Sequence, residues 1–129
     1  MRTIEVAAAV ILRRDQCLLC SRPAGKELAD FWEFPGGKLE PGESPAQCLK
    51  RELREELAVE AVVFDILNLT EFRYETKQVK LFFLRTLLPA EAVIRPQERQ
   101  LFRWVARRSL PSCRLLPADQ AVAEYLAKI

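Results

Sequence analysis

Three glutamates, Glu52, Glu55 and Glu56, fall within five residues in the stretch RELREELAVE, Arg51 to Glu60, with Leu53 and Leu57 set among them. Placed 100° apart around a helix, the three carboxylates share an arc of roughly 100° beside the leucines rather than opposite them. Like charges four residues apart destabilise an isolated helix by about 0.2–0.5 kcal/mol per pair. Two chemistries resolve that crowding. Lys50, Arg51 and Arg54 interleave with the acids and can neutralise a solvated helix face. Alternatively, a hard divalent cation removes the repulsion, since Mg²⁺ and Mn²⁺ favour carboxylate, carbonyl and water oxygens. The ten residues alone leave both readings open. Upstream, FPGGK supplies two glycines, Gly36 and Gly37, where backbone can approach a ligand closely, although a tight turn accounts for them equally well.

The elements that must position these groups follow from local pattern. Ser44 suits an N-cap, Pro45 the first helical position, and Gln47 completes a Ser-x-x-Gln capping box. Ala46, Leu49, Leu53 and Leu57 recur at helical spacing and form the stripe to be buried. IEVAAAVILRR and QCLLCSR read as two strands of a hairpin, followed by a long Pro/Gly-rich loop with a short strand at WEF. AVVFDILNLTEFRY and QVKLFFLRTLL read as further strands, and LFRWVA as a short one after the loop PAEAVIRPQERQ. PADQAVAEYLAKI reads as a closing helix with Val122, Tyr125 and Leu126 inward. Strands and helices alternate without repeat or linker, which predicts one α/β domain over residues 1–129.

Composition removes several function classes. Twenty basic and 18 acidic residues give a net charge of +2, without the basic excess expected of a nucleic-acid binder, so no nucleic-acid polymer is expected as partner. The four cysteines include one CxxC pair, Cys17 and Cys20, but the chain has no histidine and no second pair. Zinc is therefore not expected, and in an alternating strand those thiols point to opposite faces. The apolar run near the N-terminus is too short to span a bilayer, and no small-residue cleavage site follows it. No membrane association and a cytoplasmic location are expected, with reduced thiols.

Loop and helix together are more specific than either part. Gly37 is followed after five residues by Glu43, after seven more by Arg51-Glu52-Leu53, then by Glu55-Glu56 and the apolar Val59. This resembles the Nudix box, G-x5-E-x7-R-E-U-x-E-E-x-G-U with U aliphatic. The exception is Ala58, which stands at the box's second glycine. The opening strands, the WEFPGGK lead-in and the LPADQAV near the C-terminus are similar to the MutT branch and to cytidine-triphosphate pyrophosphohydrolases.

The resemblance implies a Nudix fold, a mixed β-sheet sandwiched between helices (α/β/α). It also implies Mg²⁺- or Mn²⁺-dependent hydrolysis of a nucleoside triphosphate to a monophosphate and pyrophosphate. On that reading Glu52, Glu55, Glu56 and the Gly36 carbonyl hold the metal, and Glu98 is a metal ligand or base. Arg51 and Glu43 would orient a metal-binding glutamate. Arg22 would face phosphate. Lys38 is a further candidate for phosphate, and Trp32 and Phe34 either form an apolar wall for the base or belong to the core. Asp119 stands where MutT has a base-reading asparagine. It would either accept from an exocyclic amine such as cytosine N4, serve a purine when protonated, or simply cap the last helix. Because the chain lacks histidine, the general base must be a carboxylate, a lysine or activated hydroxide. Hydrolysis of another nucleoside diphosphate derivative, such as ADP-ribose or a dinucleoside polyphosphate, is the rival activity. A catalytically silent nucleotide sensor is the rival class, although none of the box glutamates is missing. Both monomer and homodimer remain open.

Overall fold

The computed structural model describes residues 2–22, 30–98 and 100–129. Its spine is β1 (Arg2–Arg13), whose AAAVI segment is buried on both faces of the sheet. Three consecutive alanines let neighbouring backbones approach closely. Along most of its length β1 pairs in parallel with β6 (Lys77–Leu87), and β6 pairs antiparallel with the edge strand β5 (Val62–Arg73). On its other side β1 meets β4 (Gly36–Lys38), in the register Ala8 to Gly36 and Ala7 to Gly37. At its far end β1 turns through a hairpin into β2 (Gln16–Ser21), which carries β3 (Trp32–Glu33) and β7 (Phe102–Ala106) on its two edges.

Helices cover both faces, so the expected three-layer α/β arrangement is observed. One core gathers Cys48, Leu49, Leu53 and Leu57 of α1 (Pro45–Leu57) against Ala7, Ala9, Ile11 and Leu18. The other packs Val122, Ala123 and Leu126 of α2 (Gln120–Lys128) against Ala8, Val10, Leu19 and Phe83. Leu18 and Leu19 go to opposite cores, as strand alternation requires. Cys17 joins the α2-side core, Cys20 is buried outside both clusters, and all four cysteines are free thiols.

Three details differ from the sequence reading. β4 is a strand although Gly-Gly-Lys has no strand propensity, because β1 supplies a backbone ladder and lets it approach. The last helix begins at Gln120, after a 3₁₀ turn at Pro117–Asp119, and its buried stripe centres on Ala123. Tyr125 consequently points outward, 55% exposed. A second 3₁₀ segment, Arg107–Ser112, follows β7 where no element was expected. Part of the long loop anticipated after β2, residues 23–29, lies outside the described residues.

Candidate active site

Helix α1 starts as its sequence specifies. The Gln47 backbone N–H donates to Ser44 Oγ (3.1 Å), and the Ser44 N–H donates to Gln47 Oε1 (2.9 Å). It ends at Ala58, which adopts φ 56°, ψ 40° and donates its N–H to the Arg54 carbonyl. This is the left-handed cap that the box glycine would provide without strain. Just beyond, the Gln97 and Arg95 N–H groups donate to the Glu56 and Leu57 carbonyls at 2.9 and 3.0 Å. Those bonds tie the loop carrying Glu98 to the glutamate end of the helix.

Arg51 organises the other end. Its Nε and Nη2 bind the two oxygens of Glu43 at 2.7 and 3.0 Å, and Nη2 also donates to the Lys38 carbonyl at 3.1 Å. Its Nη1 reaches Glu52 at 2.8 Å and Glu55 at 3.1 Å. Hydrogen bonds from Arg51 and from the Glu40 N–H hold the Glu43 carboxyl down at about 2. Glu43 therefore stays ionised, and Arg51 is fixed between loop and helix.

Glu56 differs from its neighbours. It is only 6% exposed, and its Oε2 has no hydrogen-bond partner among the described residues. Burial, reinforced by the charges of Glu52 and Glu98, raises its carboxyl to about 8. Burial also raises Glu52, against the opposing pull of Arg51. The mutual repulsion places Glu98, on its exposed loop, within electrostatic reach of both acids. Glu52 in turn lies against Gly37. A Cβ at that position would sit 2.4–2.7 Å from the Glu52 carboxylate atoms. At Gly36, φ is +156° and a Cβ would fall 2.0 Å from the Ala7 carbonyl oxygen. The two glycines thus have separate reasons: backbone packing at 36 and room for a carboxylate at 37.

The donor set fits a hard divalent cation: several carboxylates, one with a buried unpartnered oxygen, beside a glycine cradle. Among the described residues, no three acidic or thiol side chains already converge as an ion-holding group. Arg51 draws Glu52 and Glu55 toward itself, so a cation must compete with its guanidinium for them.

A second polar cluster surrounds Asp119, only 4% exposed. Its side chain makes no capping bond to α2, so the capping alternative is not what the structure shows. Burial raises its carboxyl well above the ordinary aspartate range, with the charge of Glu33 adding to the rise and the Phe34 backbone and Arg22 opposing it. Cys20 and Tyr74 also feel its charge. Arg22 bridges to Glu33 at 3.4 Å. Phe34 packs in the core edge-on to Phe83, while Trp32 lies half-buried beneath the Arg103 guanidinium. Lys38 is exposed on β4. Sequence reasoning had missed Glu33 and Tyr74. Glu33 stands inside the WEFPGGK lead-in without a role assigned to it and Tyr74 belongs to no motif; the β3 pairing and the β5–β6 turn bring them to Asp119.

The fold and this helix, whose carboxylates suit a hard divalent cation, set the chain beside known hydrolases. The NUDIX domain model matches residues 2–129, so the chain belongs to the Nudix family and is a Nudix hydrolase. It is 36% identical over 128 residues to an 8-oxo-dGTP diphosphatase of Haemophilus influenzae, covering 97% of this chain and 92% of that protein. It is 57% identical over 63 residues to a CTP pyrophosphohydrolase of Escherichia coli. That match spans 49% of this chain and about half, 47%, of the relative. Among solved structures, the E. coli ORF135 protein superposes with a TM-score of 0.81 at 35% identity, covering 96% of this chain and 88% of that one. Nudix hydrolases generally use a divalent metal. No helix of the described residues is long and apolar enough to cross a membrane.

Proposed function

We infer that this protein is a Mg²⁺- or Mn²⁺-dependent nucleoside triphosphate pyrophosphohydrolase that removes unwanted nucleotides, of the cytosine or oxidised-guanine type, from the nucleotide pool. The observation that carries this reading is the Glu56 carboxylate. It is buried, it has an unpartnered oxygen, and its neighbours are the acids Glu52 and Glu98. Such a cluster is costly unless a cation compensates it.

Glu52, Glu55, Glu56 and the Gly36 carbonyl would hold the metal, with Glu98 as a further ligand or base. Bound there, a divalent ion supplies neutralisation of phosphate charge and a lowered pKa for water. The chain's own residues do the rest. Arg51, locked by Glu43, orients Glu52 and Glu55. A glutamate of this cluster takes the proton of the attacking water, burial and its neighbouring acids holding its affinity for a proton up as they do at Glu56. The water oxygen joins the β phosphorus, the α–β bridging bond breaks at that phosphorus, and the nucleoside monophosphate leaves with the bridging oxygen. The added oxygen ends in pyrophosphate. Arg22 and Lys38 contribute positive charge toward the phosphates.

Asp119 is the base-reading candidate. A buried, protonated carboxyl both donates and accepts, as an amide does, whereas the ionised form accepts from an amine such as cytosine N4. Both related activities, that of the 8-oxo-dGTP diphosphatase and that of the CTP pyrophosphohydrolase, suit such a group. A panel of normal and oxidised nucleotides with Mg²⁺, assayed for pyrophosphate, tests the reading together with Glu55→Gln and Glu56→Gln. Both variants should keep the fold and lose activity. Full activity in both would overturn the metal assignment.

A further inference from the structure

We propose that Cys48 is a positioning residue for the reaction, its thiol holding the Gly37–Lys38 backbone against helix α1 so that the metal-binding groups of loop and helix keep their spacing. The inference rests on the metal site proposed above and concerns a side chain outside it.

Cys48 lies one turn before Glu52 on the buried face of α1, with no solvent exposure. A residue there needs only to be small and apolar to fill the core beside Leu49. The thiol does more. Its Sγ is 3.4 Å from the Gly37 carbonyl oxygen and 3.5 Å from that of Lys38, within reach of a bifurcated S–H donation. The Lys38 oxygen receives Arg51 Nη2 as well, at 3.1 Å, and that same nitrogen sits 3.8 Å from Cys48 Sγ. Arg51 and Cys48 therefore share the Lys38 carbonyl from one helix face, and Cys48 alone of the two reaches that of Gly37.

What those peptides touch gives the grip its consequence. Gly37 lies directly against the Glu52 carboxylate, with no space for even a methyl group between them. Gly36 and Gly37 are held from the other side by their pairing with Ala8 and Ala7. Loss of the thiol donor leaves the Gly37 peptide held from the β1 side alone, and displacement of that peptide moves the wall against which Glu52 is seated. Arg51 secures only the Lys38 end. A thiol also suits the position sterically, since a longer donor would not fit a fully buried site between helix and strand.

The test uses Cys48→Ala, which removes the donor, and Cys48→Ser, which keeps one. Mn²⁺ binding is measured by electron paramagnetic resonance without nucleotide, and amide hydrogen exchange is followed at Gly37, Lys38 and Leu39. Cys48→Ala should bind Mn²⁺ about three- to tenfold more weakly, the equivalent of one ordinary hydrogen bond, and should exchange faster at those amides. Cys48→Ser should recover most of the affinity even if its melting temperature falls. A purely space-filling role would lower thermal stability in both variants and leave Mn²⁺ affinity equal to that of the parent. That outcome overturns the proposal. If the parent chain itself binds no Mn²⁺, the metal assignment fails first and this role falls with it. If the parent binds and only Glu56→Gln abolishes binding, the metal site stands and Cys48 alone is refuted.

Discussion

Arg51 grips Glu43 with two parallel hydrogen bonds, Nε to Oε2 at 2.7 Å and Nη2 to Oε1 at 3.0 Å, across the gap between the loop and helix α1. A lysine keeps the charge but cannot make this fork. Arg51→Lys should retain the fold, as judged by circular dichroism, yet lose roughly ten- to a hundredfold in kcat or metal affinity. The pH dependence has a definite sign. The Glu43 carboxyl is lowered from 4.5 to about 2, so its contribution to stability is complete above pH 4.5 and disappears as pH falls toward 2. In urea unfolding, the difference between parent and Glu43→Gln should be constant near neutrality and vanish at the acid end.

Glu56 titrates in the opposite sense. Its folded value of about 8 exceeds 4.5, so between those limits the folded chain keeps a proton that the unfolded chain has lost. Without metal, stability should fall as pH rises through that window, by an amount on the order of a few kcal/mol. Glu56→Gln should flatten this slope. Mg²⁺ should restore stability most strongly at the alkaline end, with proton release measurable by calorimetry in buffers of different ionisation enthalpy.

Ala58 holds a left-handed conformation that costs a residue with a Cβ about 1 kcal/mol or somewhat more. Ala58→Gly should raise the melting temperature by a few degrees and leave turnover nearly unchanged. A lower melting temperature would contradict the observed helix cap.

Helix α1 was the most legible part of the chain, because capping box, leucine stripe and glutamate spacing all specify one element in one orientation. The strands were readable as elements from their apolar runs. Their partners were not, since nothing in KLFFL states that it lies parallel to AAAVI. β4 escaped notice because its strand character comes from its neighbour's backbone. Three of the acids proposed to hold the metal, Glu52, Glu55 and Glu56, follow from spacing along one helix. The cluster around Asp119 is assembled from β2, β3, the β5–β6 turn and a 3₁₀ turn, contacts separated by tens of residues. Tyr125 was misplaced because three residues assigned to the last helix form a 3₁₀ turn, and the inward stripe centres on Ala123.

The neighbouring glycines should fail differently. Gly37→Ala drives a methyl into the end of a movable side chain, so the protein should fold while metal-dependent activity drops at least tenfold. Gly36→Ala meets the Ala7 carbonyl instead, and backbone cannot step aside. That variant should show its defect in thermal unfolding.

Asp119→Asn replaces a titrating group with a permanent amide. It should weaken cytosine nucleotides relative to oxidised guanine nucleotides, read as a change in the ratio of their kcat/KM values, most visibly at alkaline pH. An unchanged ratio across pH would remove Asp119 from base selection.

The two hydrogen bonds from the Arg95 and Gln97 amides to the last carbonyls of α1 have an evolutionary corollary. They deliver Glu98 by reference to the helix end rather than to the strand from which its loop departs. Insertions at the exposed Ala90 and Glu91 can therefore accumulate without changing where that acid arrives, so length variation among descendants should concentrate at that tip and stop before Arg95.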